Sequence, residues 1–123
     1  MLTTVAYGLA IVLNLFCLLI GARFLLVPRA AAAGYGVPAK ENGDGAYLTI
    51  KGLRDGTYGL LGLALLAFAG PAAEAWFMLI AALIPLGDTL IVLRNGGTKA
   101  TAFGIHFATA VALLVSAALL FAV

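Results

Sequence analysis

The sequence predicts an all-α integral membrane protein built as a compact four-helix bundle, and three observations carry that prediction. Of the 123 residues, 64% are hydrophobic and only 10% charged, with a mean hydropathy of +1.15. A soluble domain carries about a quarter charged residues, so this chain has too few polar groups to cover itself and lipid is the expected outer solvent. The apolar residues fall into four runs, each near the ~20 residues that cross a hydrocarbon core. Between the runs stand the Pro, Gly and charged residues that end helices.

The ends of each segment follow from local chemistry. The first helix is expected over about residues 2–27, stopping at Pro28 with Arg23 and Arg29 around its end. The second covers about 47–69 and ends at Gly70-Pro71, and the third covers about 72–94, terminated by Asn95-Gly96-Gly97. The fourth runs over about 98–122, so one transmembrane domain fills residues 1–123. Glycine and proline within such helices are tolerated in membrane bundles. A cleaved signal peptide fits the first run poorly, because no basic residue precedes it and it exceeds an ordinary h-region; Ala30–Ala33 is its one cleavage-like feature. Between the first two helices, Gly34-Tyr35-Gly36-Val37-Pro38 reads as an ordered turn and Lys40–Gly45 as a polar tip.

Charge and cysteine usage narrow the classes. Lys and Arg number 7 against 5 Asp and Glu, too small an excess to point to nucleic acid. Cys17 is the only cysteine, which excludes a disulfide within the chain and offers no metal-binding spacing; it reads as a small lipid- or core-facing residue. Every Lys and Arg lies in or near the first long loop and the turn around Gly96, whereas the opposite side carries only Glu74 and the termini. The excess of basic residues in cytoplasmic loops then predicts a multi-pass plasma-membrane protein with both basic loops in the cytoplasm and both termini outside.

Charges within a membrane are costly, so they normally pair, face the bundle interior and mark function. Counting inward at ~1.5 Å per residue, Arg23, Arg54, Asp55, Asp88 and His106 fall at similar depth near the cytoplasmic side, and they come from all four helices. On the second helix, Lys51, Asp55, Tyr58 and Gly62 share one stripe at about 100° per residue, beside a small-residue face of Gly52, Gly56 and Gly59. The Gly52/Gly56 spacing is of the kind that lets helix backbones approach closely. Asp55 and Tyr58 are expected in a shared pocket, with Lys51 and Arg54 either joining them or reaching for lipid phosphates. On the third helix, Glu74, Phe77, Ala81, Pro85 and Asp88 form a stripe; Glu74 is expected to be solvated in the outer turn, and Asp88 to pair with Arg23 or Arg54 or to do proton chemistry. His106, the single histidine, either shuttles protons beside the carboxylates or makes one structural bond between helices. One histidine with two aspartates lacks any local metal-ligand spacing, and no metal site is assigned. Asn14 is read as an interhelical hydrogen-bonding residue.

With Gly21-Ala22-Arg23-Phe24 closing the first helix, the Gly34–Pro38 stretch and Lys51-Gly52-Leu53-Arg54-Asp55 opening the second, the chain resembles a family of small four-span membrane proteins of unknown function from actinobacteria and fungi, similar in layout to DoxX-like proteins. That resemblance implies a four-helix membrane bundle and brings no established catalytic residues, and fold analogy does not decide function. The leading expectation is a pocket near the cytoplasmic face that binds or converts a small apolar or lipid-like molecule. Asp55, Asp88 and His106 would exchange protons there, and Arg23, Arg54, Tyr58 and Lys51 would hold the ligand. Two other readings are a proton-coupled transporter, which with four helices calls for a homo-oligomer, and an accessory subunit whose charges are structural. The sequence specifies no cofactor.

Overall fold

The computed structural model describes residues 1–123, all of them in helices, turns or short connections. Five helices form the bundle: α1 (Leu2–Leu26), α2 (Pro28–Tyr35), α3 (Gly45–Ala64), α4 (Pro71–Arg94) and α5 (Lys99–Phe121). A wider π-type turn, Leu65–Ala69, prolongs α3, and a second, Ala102–Phe107, lies within α5. Such turns shift the register of the following residues and recur at functional sites.

Three helices, α1, α4 and α5, are long and apolar enough to cross a membrane. The expected layout of four such spans is therefore met in three. The shortfall lies in α3, where Lys51, Arg54 and Asp55 fall within twenty residues and lower its apolarity. Outside, the bundle exposes Leu, Ile, Val and Phe side chains along every long helix, a surface suited to lipid.

The breakers act where the sequence places them. Val27 leaves helical geometry, and Pro28, whose missing N–H is no loss in a first turn, starts α2. The stretch expected as loop up to Ala46 thus begins with an eight-residue helix. It ends on Gly36 at φ 104°, with the N–H of Gly36 bonded to the Ala33 carbonyl and that of Val37 to the Ala32 carbonyl; this is a Schellman close. A Cβ at Gly36 would sit 2.8 Å from Thr101 and 2.9 Å from Val92, so the glycine also lets the end of α2 rest on α4 and α5. In α4, Pro85 has no N–H for the Ala81 carbonyl, and the helix is interrupted at Ala82. Thr98 caps α5 by accepting from the Thr101 N–H at 3.1 Å.

Packing pairs α1 with α3 and α4 with α5, and α5 also lies along α1. The α1–α3 contact is backbone to backbone. A Cβ at Gly21 would lie 2.8 Å from the Gly52 carbonyl oxygen, and one at Gly59 would lie 2.7 Å from the Asn14 carbonyl oxygen. The close face of α3 holds Gly52 and Gly56, both against Gly21, and continues through Gly59 and Gly62: a Cβ at Gly21 would also overlap the Gly56 nitrogen, although a Cβ on Gly56 itself would meet nothing within 4 Å. Where α1, α3, α4 and α5 meet, Ala6, Ala10, Leu66, Ala75, Met78, Ala117 and Leu120 make the main core, dominated by small side chains. Toward the other end, Phe24 packs on Ala31 and Ala32 and fixes α2 against α1.

Candidate functional site

Between α1, α4 and α5, with α2 and α3 at one end, lies a cavity of about 620 Å³ lined by 25 residues, 17 of them hydrophobic. That is within the usual range for sites that hold a small organic ligand. Its wall runs from Leu13 to Phe24 on α1, from Phe77 to Asp88 on α4 and from Ile105 to Leu113 on α5. The long axis therefore follows the helices. Arg23, Tyr35, Asp55, Asp88 and His106 line it together, and the helix ends from which these residues come put them at the α2 end.

Tyr35, the last residue of α2, is the hub of that end. Its hydroxyl donates to Asp88 Oδ2. Its backbone carbonyl lies 2.6 Å from His106 Nε2, and its ring meets the His106 ring edge-on with centroids 4.3 Å apart. The Lys51 ammonium sits 4.2 Å from the Tyr35 ring centre and 4.9 Å from that of Phe24, within cation–π range. Lys51 also donates to Asp55 Oδ2 at 2.8 Å. Burial first, and then the adjacent Asp88 carboxylate, push the Tyr35 hydroxyl above its ordinary range, so it stays a protonated donor.

His106 is 3% exposed. A carbonyl only accepts, so the contact with the Tyr35 oxygen places a proton on Nε2. Nδ1 then faces Asp88, whose Oδ2 is 4.0 Å away. That separation is beyond direct hydrogen-bond reach, and both groups border the cavity.

The expected site residues divide accordingly. Arg23, Asp55, Tyr58, Asp88 and His106 line the cavity, whereas Lys51 stands behind Asp55 and Arg54 is exposed away from the wall. Asp88 pairs with neither Arg23 nor Arg54; its partners are Tyr35 and His106. Cys17 borders the cavity as well, and its thiol donates to the Asp55 carbonyl at 3.1 Å.

Glu74 overturns the expectation of a solvated outer acid. It is 0% exposed, and its Oε1 accepts from Asn14 Nδ2 at 2.7 Å, while Oε2 has no partner. Asn14 thus makes the interhelical bond expected of it, and its side chain also reaches the cavity wall. Two residues of this region, Tyr35 and Glu74, escaped the sequence reading. A signal for Glu74 existed in the stripe it shares with Asp88, which turns both toward the bundle interior.

No curated protein and no solved structure matches the chain. No match supports the DoxX-like layout, and three apolar spans depart from its four. A family model matches over residues 14–120, a stretch that holds every site residue from Asn14 to His106. The chain belongs to that family, described as a domain of unknown function, DUF4267.

Proposed function

We propose that this is a membrane-embedded protein that takes a small apolar or lipid-like molecule into the cavity and carries out acid–base chemistry on its polar head. One observation carries the reading: a cavity of about 620 Å³, mostly apolar, has an Asp88–His106 pair and the Tyr35 hydroxyl at one end. The apolar wall suits a hydrocarbon body, and the polar end suits one head group. Asp88 and His106 Nδ1 exchange the proton, the Tyr35 hydroxyl holds the carboxylate in place, and Arg23 at the wall favours an anionic head or an oxyanion that forms there. Lys51, already engaged with Asp55 and two aromatic rings, acts by holding Tyr35 rather than by touching the ligand.

In this reading α3 crosses the membrane beside α1 despite its charges. Lys51 and Asp55 neutralise one another, and Arg54 reaches the interface along its own stem. All seven Lys and Arg then lie toward one end of the bundle, which faces the cytoplasm by the basic-loop rule.

The test is photolabelling in lipid nanodiscs with a fatty acid that carries a diazirine on its chain. Label is expected on peptides holding Leu13–Phe24 and Phe77–Asp88, and it is expected to drop when Ala81→Trp fills the cavity. Label spread over the outer faces of all helices, and indifferent to Ala81→Trp, would refute the reading.

A further inference from the structure

The far end of the cavity is not featureless. Asn14, 3% exposed, is on its wall, with apolar neighbours such as Leu13, Phe77, Met78 and Leu113. Nine residues of α1 separate Asn14 from Arg23, about 14 Å at the helical rise. Resting on the reading of this cavity as a lipid-like binding site, we propose that it recognises its occupant at both ends: a polar head near Arg23, Asp88 and His106, and a hydroxyl or carbonyl far along the chain at Asn14. The ligand class is then a linear amphiphile with a second oxygen roughly 14 Å from its head, such as a hydroxylated or oxidised acyl chain.

The amide is held in place for that task. One N–H goes to buried Glu74 at 2.7 Å, and the whole group lies over Gly62, where any Cβ would overlap it. Glu74 thereby fixes which way the amide faces. An asparagine amide has two N–H donors and a carbonyl with two lone pairs, so hydrogen-bonding capacity remains after Glu74 has taken one donor. The same network holds a further unmet demand, since Glu74 Oε2 is fully buried without a partner. In an apolar wall a fixed polar group discriminates strongly, because a chain lacking the matching oxygen leaves it unpaired. Glu74 acts here as a positioning residue and Asn14 as the group that touches the ligand.

The experiment is competition against the diazirine fatty acid in nanodiscs, using plain fatty acids and their ω-hydroxy analogues over a series of chain lengths. In the wild-type protein, one chain length of the ω-hydroxy series is expected to compete about tenfold better than its plain counterpart, equivalent to roughly 1.4 kcal/mol. In Asn14→Leu that ratio is expected to fall to about one, whatever the change in absolute competition. Comparing ratios between variants cancels the different partitioning of the probes into lipid. Should Asn14→Leu fail to fold with Glu74 left alone, the double change Asn14→Leu/Glu74→Leu carries the same expectation. Equal competition at every chain length, or a preference that survives loss of Asn14, overturns the distal site and leaves the cavity reading standing. Absence of any cavity labelling overturns the cavity reading itself.

Discussion

Gly59→Ala and Gly56→Ala make a matched pair on one face-to-face helix contact. At position 59 the new methyl would sit 2.7 Å from the Asn14 carbonyl oxygen, 2.8 Å from Leu18 Cγ and 2.9 Å from the Leu18 nitrogen. Carbon contacts are comfortable at about 3.5–4.0 Å, so α1 and α3 must part by about 1 Å. A gap of that size forfeits about a quarter to a half of each contact along the seam, and overpacking of this kind costs about 1–3 kcal/mol. At position 56 the methyl meets nothing within 4 Å. Both changes gain the same helix propensity, about 1 kcal/mol in water, which cancels in the comparison. Gly59→Ala is therefore expected to be about 1–3 kcal/mol less stable than Gly56→Ala, measured by reversible SDS unfolding in detergent micelles followed by circular dichroism. Equal stabilities, or a weaker Gly56→Ala, would refute the claim that a methyl at position 59 enters the α1 seam and one at position 56 does not.

Other outcomes follow from the same geometry. On a Cys17→Ser background, cysteines at Asn42 and Gly96 should be protected from an impermeant maleimide in intact cells, whereas cysteines at Ala72 and Val123 should react; labelling at Asn42 would reverse the orientation. Tyr35→Phe keeps the ring against Lys51 and His106 but loses the hydroxyl donated to Asp88, so unfolding should show a loss of about 1.5–3 kcal/mol, the range for a bond to a charged group. Asn14→Leu strands Glu74 and should cost about 1–3 kcal/mol, while adding Glu74→Leu should recover much of it; no recovery would mean the pair is not coupled. Gly36→Ala forces a left-handed residue to carry a Cβ and should cost about 1–2 kcal/mol, read by the same unfolding assay.

Helix ends were legible because breakers act locally. Pro28, Gly70-Pro71 and Asn95-Gly96-Gly97 each stop a helix whatever packs beside it. A glycine face of Gly52, Gly56 and Gly59 on α3 was legible too, but its extension to Gly62 was not, since the spacing within one helix does not reveal how α1 crosses it. Glu74 was misplaced because depth was counted from the helix end at Pro71, as though that end met water, when the side chain turns inward toward Asn14. Tyr35 was missed because the stretch before it is too short and too mixed to read as a span. The start of a helix at Pro28 and its stop at Gly36 were nonetheless readable signals. Intramembrane charge alone singles out Asp88 and His106, while the residue that contacts both, Tyr35, comes from a part of the chain expected as loop.

That partner explains why the polar end needs α2 at all. Four long helices can bring Asp55, Asp88 and His106 to one level, yet no side chain from α1 bridges Asp88 to His106. Tyr35 supplies the bridge with three different parts of one residue: hydroxyl to Asp88, backbone carbonyl to His106 and ring face to Lys51. Each contact constrains the others, because moving the ring off Lys51 also moves the hydroxyl and the carbonyl. The placement of Asp88 and His106 is thereby tied to the seat of α2, and that seat is set by Pro28 at one end and by Gly36 against Val92 and Thr101 at the other. A short helix outside the apolar spans thus sets how Asp88 and His106 face one another.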